Sequence, residues 1–171
     1  MMNALSEASP IIKETFAEAS SVLGYDLWEL VTDGPAETLN STAHTQPAML
    51  TAGVATWRVY QQSGGAMPAL MAGHSLGEYT ALVCAGALSF TDAVALVADR
   101  ARFMQEAVPE GEGAMAAILG LEDDIVQQLC EKYAQGSVLQ PVNYNAPGQV
   151  VVAGDAAAVG RLVENARSAG A

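Results

Sequence analysis

The sequence predicts a mixed α/β protein in two parts, and three observations predict it. A short apolar run, Ala69-Leu70-Met71-Ala72, sits between Pro68 and Gly73 and reads as a fully buried parallel strand. On both sides of it lie longer segments whose apolar residues recur at helical spacing. After the stretch "VPEGEGA", residues 108–114, the rhythm changes to short strands alternating with helices. That stretch is the expected boundary, with one subdomain over 1–108 and a second over 109–171.

Taken in order, the first helix has Ser9 at its N-cap and Pro10 at its first position, and carries Ile12, Phe16, Ala19 and Leu23 on one face up to Gly24. A second begins at once, because Asp26 and Glu29 have the spacing of a capping box, and Gly34-Pro35 ends it and starts another. From Thr45-Gln46-Pro47 to Gly64-Gly65 runs a longer helix with Leu50, Val54, Trp57 and Tyr60 and few charges, so most of its circumference is expected to be buried. After the strand at Ala69–Ala72, the segment Leu76 to Leu88 is apolar nearly all round, as in a helix enclosed by other elements. Thr91 to Val108 forms the next helix, with Val94, Val97, Ala101, Met104 and Val108 on one stripe.

The second part reads as a strand at Ala114 to Leu119, a helix from about Asp123 to Tyr133, a strand near Val138 to Asn143, a turn at Ala146-Pro147-Gly148, a strand at Gln149 to Ala153 and a helix from Asp155. That is βαββα, a ferredoxin-like unit without its last strand. The strand at Ala69–Ala72 has the converse difficulty, since a buried parallel strand needs neighbours on both sides and residues 1–108 offer no other.

Charge and composition exclude several function classes. With 19 acidic against 7 basic residues the net charge is -12, so phosphate backbones and anionic membrane surfaces are repelled: neither nucleic acid nor a membrane is an expected partner. Cys84 and Cys130 lie in apolar helical surroundings without CxxC or metal-ligand spacing, which favours reduced thiols in a cytoplasmic protein. Glu110, Glu112, Glu122, Asp123 and Asp124 show no metal-ligand pattern and read as solvated surface with a helix N-terminal charge bias. No metal and no cofactor is called for.

Gly73-His74-Ser75-Leu76-Gly77 follows the predicted strand and opens a helix, the context of a nucleophile elbow. There a serine takes a strained backbone conformation, flanking glycines permit close approach, and the Leu76 N–H at the helix start is free to donate to an oxyanion. The competing account is a turn of small residues that merely packs a strand on a helix. A serine nucleophile also needs a base, usually histidine. His74 diverges from Ser75 on so tight a turn and reads as a support; His44 reads as a surface residue in a polar loop. No histidine follows Ser75 in this sequence.

Arg100 falls between Val97 and Met104 within the apolar stripe of its helix, whereas Arg102 is turned away toward Asp99 and Glu106. Two accounts of Arg100 stand level: a snorkelling or internally paired arginine, or a fork of donors for the carboxylate of an acidic substrate.

Three stretches, "GHSLGEYTALVCAG", "RARFMQEAVPEGEGAMAAILGL" and "PVNYNAPGQVVVAG", closely resemble the malonyl-CoA:acyl carrier protein transacylases of bacterial type II fatty acid synthesis, and the resemblance runs over essentially all 171 residues. It implies an α/β-hydrolase-like large subdomain beside the ferredoxin-like one, with Ser75 as the acylated nucleophile, Leu76 as an oxyanion donor and Arg100 as the ligand of the malonyl carboxylate. Gly73, His74 and Gly77 would support the elbow, and Asn143 in "NYNAPGQ" would line the cleft. Malonyl-CoA and acyl carrier protein are the partners it implies. The family's N-terminal strand with its GQGS motif, and the C-terminal half with the catalytic histidine, have no counterpart here. The sequence therefore reads as an acyltransferase acting through a serine-bound acyl-enzyme. Its rivals are a serine hydrolase or thioesterase using the same elbow, and a catalytically incomplete fragment.

Overall fold

A computed structural model of the chain describes residues 2–109 and 111–171; Glu110, a member of the acidic cluster named above, lies outside the described residues. The chain divides into two compact units, Met1–Ala107 and Val108–Ala171.

The first unit is helical: α1 Asn3–Ala8, α2 Ile11–Leu23, α3 Leu27–Asp33, α4 Ala36–Asn40, α5 Thr42–Gln62, α6 Leu76–Cys84 and α7 Phe90–Glu106. Helix α5 is its axis, packed against α2, α6 and α7. Ile12, Phe16, Leu27, Leu50, Val54, Val94 and Val97 are fully buried around it, each contributing roughly 1.5–3 kcal/mol of transfer free energy. Phe16 meets Trp28 edge to face at 5.2 Å. Arg58 of α5 bonds Glu18 of α2 at 2.7 Å and lies 4.8 Å over the Phe90 ring, so its charge is paired while its stem packs. Where α5 crosses α6, a Cβ on Gly53 would stand 2.8 Å from Thr80 Cγ2, so the glycine sets how closely the two helices approach.

Local signals place several of these elements. Asp26 accepts from the Glu29 N–H at 2.9 Å, which starts α3, and Ser89 accepts from the Asp92 N–H at 3.1 Å, which starts α7. Gly24 ends α2 in the left-handed conformation at φ 78°. Pro10, at φ −65°, accepts from the Glu14 N–H, but the Ser9 hydroxyl bonds Gln62 of α5 instead of capping.

Four expectations are corrected. Residues 65–73 form no strand, and Leu70 is 90% exposed. The only sheet among the described residues lies in the second unit, and four residues without a ladder cannot recover their ordering cost. Helix α6 stops at Cys84 rather than Leu88 and buries none of its residues; among the described residues, α5 and α7 are the helices packed closely on it. Helix α5 begins at Thr42, a turn earlier than expected, with Ser41 O accepting from the His44 and Thr45 amides; Pro47 is inside the helix, in its second turn, where it lacks the amide that would bond the carbonyl of Ala43. On α7 the buried stripe ends at Ala101, and Met104 and Val108 are exposed.

The second unit consists of β1 Gly113–Leu119, α8 Asp123–Ala134, β2 Leu139–Ala146, β3 Gln149–Asp155 and α9 Ala156–Ala166, closed by a 3-10 turn at Arg167–Ala169. This is the βαββα order expected. The sheet order is β1-β3-β2 with β3 antiparallel to both neighbours, so β1 and β2 run parallel with β3 between them. Pro141 is tolerated because β2 is an edge strand and its ladder to β3 is already irregular there. Ile118, Val150 and Val152 meet Val126, Leu129 and Leu162 of the two helices in one core. Arg161 of α9 closes α8 by donating to Tyr133 O at 2.9 Å and Ala134 O at 3.0 Å, a cation on the orphan carbonyls of a helix end.

Two glycines of this unit make opposite predictions. A Cβ on Gly154 would lie 2.1 Å from Val138 O, the carbonyl that accepts from the Asp155 N–H, so Gly154→Ala is expected to cost about 1–3 kcal/mol. Gly160, in the middle of α9, has open space at its Cβ position, so Gly160→Ala is expected to stabilise by about 0.5–1 kcal/mol. Urea unfolding midpoints of the two variants beside the parent chain check both signs.

Candidate active site

Ser75 is the residue immediately before α6 and has φ 53° and ψ −115°. A positive φ in a residue with a Cβ costs of order 1–3 kcal/mol and persists only where surrounding structure imposes it. Gly73 leaves the room for it here. A Cβ on Gly73 would stand 2.0 Å from the Gly77 carbonyl carbon and 2.1 Å from its oxygen, so the chain doubles back against its own helix start in a way that only glycine allows. Gly77 is different: nothing lies within 4 Å of the position a Cβ would take. The expectation that both glycines are needed for close approach therefore holds for Gly73 alone. The Gly77 and Glu78 amides bond His74 O at 2.9 Å and Ser75 O at 3.2 Å, while the Leu76 N–H, first in the helix, has no backbone acceptor among the described residues.

Arg100 of α7 reaches the same turn. Its Nη2 donates to Ser75 Oγ at 3.0 Å, and its Nη1 donates to Gln46 Oε1 of α5 in a short hydrogen bond. Its Cζ lies 5.8 Å from the centre of the Tyr79 ring on α6. These partners are neutral. Among the described residues Arg58 pairs with Glu18 and Arg102 with Asp99 at 3.0 Å and Glu106 at 3.3 Å, but no carboxylate bonds Arg100. In a chain of net charge -12 this half-buried guanidinium keeps its positive charge uncompensated beside a serine hydroxyl.

The remaining candidates fall elsewhere. His74 is exposed and lends its carbonyl to the turn. His44 is not the free surface residue expected: its Nδ1 is 2.8 Å from Ser41 Oγ and its ring meets Tyr25 edge to face at 5.3 Å. Among the described residues neither histidine bonds Ser75. Asn143 belongs to the second unit, half-buried in β2 opposite Val151. Cys84 and Cys130 are free thiols, both pushed up from the ordinary thiol range by burial, Cys130 also by the nearby Glu131 charge. Among the described residues no group of histidine, cysteine and carboxylates could hold a metal ion, and no helix is long and apolar enough to cross a membrane. Gln46 is the residue that sequence reasoning misses. Its signal was a glutamine in an otherwise small and apolar helix segment, which reads equally well as part of a helix start.

One turn thus gathers a strained serine, the first amide of a helix and an arginine with no carboxylate partner among the described residues. The acyl transferase domain profile matches residues 1–171, and the chain belongs to that family. It is 61% identical over its whole length to the malonyl CoA-acyl carrier protein transacylase of Salmonella typhimurium, covering 55% of that protein. Among solved structures it superimposes with a TM-score of 0.96 on the malonyl CoA-acyl carrier protein transacylase of Coxiella burnetii, at 53% identity, over 99% of this chain and 54% of that one. A malonyl-transacylase solved in complex with a type II polyketide acyl-carrier protein gives a TM-score of 0.95 at 56% identity, over 99% of this chain and 55% of that one. The chain thus spans about half the length of the relatives it matches.

The asymmetry of the elbow glycines is testable. Gly73→Ala drives a methyl group into the backbone of the helix start and is expected to cost about 1–3 kcal/mol. Gly77→Ala, inside the first turn of α6 with open space around it, is expected to be neutral or to gain up to about 1 kcal/mol. Thermal melts of the two variants followed by circular dichroism measure the contrast.

Proposed function

We propose that the chain carries the acyl-binding site of a malonyl-CoA:acyl carrier protein transacylase. On this reading the first unit is part of an α/β-hydrolase-like large subdomain and the second a ferredoxin-like subdomain without its closing strand. The observation that carries the proposal is the uncompensated Arg100 guanidinium at 3.0 Å from Ser75 Oγ. A malonyl group bound through its carbonyl to Ser75 ends in a carboxylate only one methylene further on, within reach of a fork held that close. An acetyl group has nothing to offer it. Arginine suits the task because its planar donors bind a carboxylate at two points and never lose their charge.

The reaction proceeds in two transfers. Ser75 Oγ attacks the thioester carbonyl, the Leu76 N–H donates to the oxyanion, the C–S bond breaks, and coenzyme A leaves as its thiol. The thiol of the carrier's phosphopantetheine then attacks the seryl ester, takes the malonyl group and returns the proton to Ser75. The start of α6 supplies both the oxyanion donor and the positive end of a helix dipole. Asn143 is proposed as a lining residue on the strength of the family resemblance, and His74 and Gly73 as supports of the elbow. The free, burial-raised thiols fit a reducing cytoplasm, where such synthesis is carried out.

Incubating the chain with malonyl-CoA and mapping the adduct by peptide mass tests the nucleophile: the malonyl mass is expected on the peptide containing Ser75 and is lost in Ser75→Ala. Labelling at another residue would refute the assignment. Arg100→Ala removes a charge-assisted hydrogen-bonded contact of about 1.5–3 kcal/mol, so Ser75 acylation from malonyl-CoA is expected to fall tenfold or more while acylation from acetyl-CoA falls less or rises. Equal losses for both donors would mark Arg100 as structural. Running the second transfer with and without a thiol acceptor separates transfer from hydrolysis.

A further inference from the structure

Gln46 projects from the second turn of α5, is only 8% exposed, and spends its carboxamide on α7. Its Oε1 accepts from Arg100 Nη1, and its Nε2 donates to the thioether sulfur of Met104 at 3.4 Å. The orientation is forced. Reversing the amide would set its NH2 against the guanidinium, donor against donor, and leave the oxygen on a sulfur that has no proton to give. One end of the Arg100 fork is therefore anchored to α5, and the other is left turned to Ser75 Oγ at 3.0 Å.

We propose that Gln46 is a positioning residue: it fixes the Arg100 guanidinium beside Ser75 and thereby sets the preference for acyl groups that end in a carboxylate. The proposal rests on the reading of Arg100 given above. The chemistry of the anchor is the reason for it. A glutamine holds one guanidinium nitrogen without cancelling its charge, whereas a glutamate of nearly the same shape would pair with the fork and consume the cation that an anionic acyl group needs. An apolar residue would leave a long, flexible side chain free to leave the turn. The other groups around the fork, Ser75 Oγ and the Tyr79 ring, are neutral as well, so no second anion competes for it among the described residues.

The test reads Arg100 directly and needs no turnover. The intact chain and its Gln46→Leu and Gln46→Glu variants are treated with phenylglyoxal, and modification of Arg100 is mapped by peptide mass with the ion-paired Arg102 as internal control. Each is repeated with malonyl-CoA or acetyl-CoA as protectant. In the parent chain malonyl-CoA is expected to protect Arg100 better than acetyl-CoA. Gln46→Leu is expected to speed Arg100 modification by about tenfold or more, the worth of a hydrogen bond from a charged donor, to leave Arg102 unchanged, and to abolish the malonyl advantage. Gln46→Glu is expected to slow modification and abolish the advantage too. A folded Gln46→Leu chain with unchanged Arg100 reactivity and a retained malonyl advantage overturns the proposal while leaving the carboxylate role of Arg100 standing. If Gln46→Leu fails to fold, a full malonyl advantage in Gln46→Glu overturns it in the same way. No malonyl advantage in the parent chain overturns the carboxylate role itself, and the selectivity assigned to Gln46 with it.

Discussion

The close crossing of α5 and α6 is the constraint on which the site depends. Gly53 and Thr80 approach so nearly that a Cβ at 53 would stand 2.8 Å from Thr80 Cγ2 and force a shift there, and α6 carries Ser75 at its start. Gln46 lies seven residues before Gly53, two helical turns away and so on the same side of α5. Helix α7 is held to the same axis by Val94, Val97 and Ala101, and brings Arg100 to the turn. Three helices thus deliver one residue each to a single point, and the alignment is set by packing in the core rather than by the polar contacts themselves.

That ordering of causes matters energetically. A positive φ at Ser75 is worth of order 1–3 kcal/mol against folding, and an unpaired, half-buried guanidinium adds a desolvation cost of its own. They are recovered only in part locally, since the bonds from Arg100 to Gln46 and Ser75 have an ionised donor and are worth about 1.5–3 kcal/mol each but leave the charge without a counter-ion. The apolar side chains around α5 offset the sum. A core with several fully buried aliphatic residues can hold a strained, electrostatically unsatisfied turn in place, and such concentration of local cost beside a rigid scaffold is what a binding site requires.

Much of this was legible in the residues. Periodicity located α2, α5 and α7, the Asp26 and Glu29 spacing fixed the start of α3, and the βαββα order was read from the alternation of short strands, turns and helices. What escaped has identifiable causes. Ala69–Ala72 has the composition of a buried strand, but strands are made by partners, and composition carries no information about whether partners are at hand. The same reason explains α6, whose all-round apolar surface states what it is suited to pack against and not what packs on it. Pro47 reads as a helix start because it is favourable there, yet α5 starts at Thr42 and carries the proline in its second turn, a cost that the burial of Pro47, Ala48 and Leu50 offsets. In the site, Ser75 and Gly73 were legible from spacing, and Arg100 from its place in an apolar stripe. Gln46 was not, because its meaning depends on a residue 54 positions away.

The charge of the chain gives the arginine its significance. On the proposed reading, the net charge of -12 carried by these 171 residues repels an anionic acyl donor at long range. On that reading recognition falls to a cation in direct contact with the acyl group, at a separation well inside the screening length of salt. Arg100 meets that description, and Arg58 and Arg102 do not, because carboxylates already occupy them. On the proposed reading, selectivity for a carboxylate-bearing acyl group follows from a guanidinium beside Ser75 that the fold surrounds with an amide, a hydroxyl and an aromatic ring instead of a carboxylate.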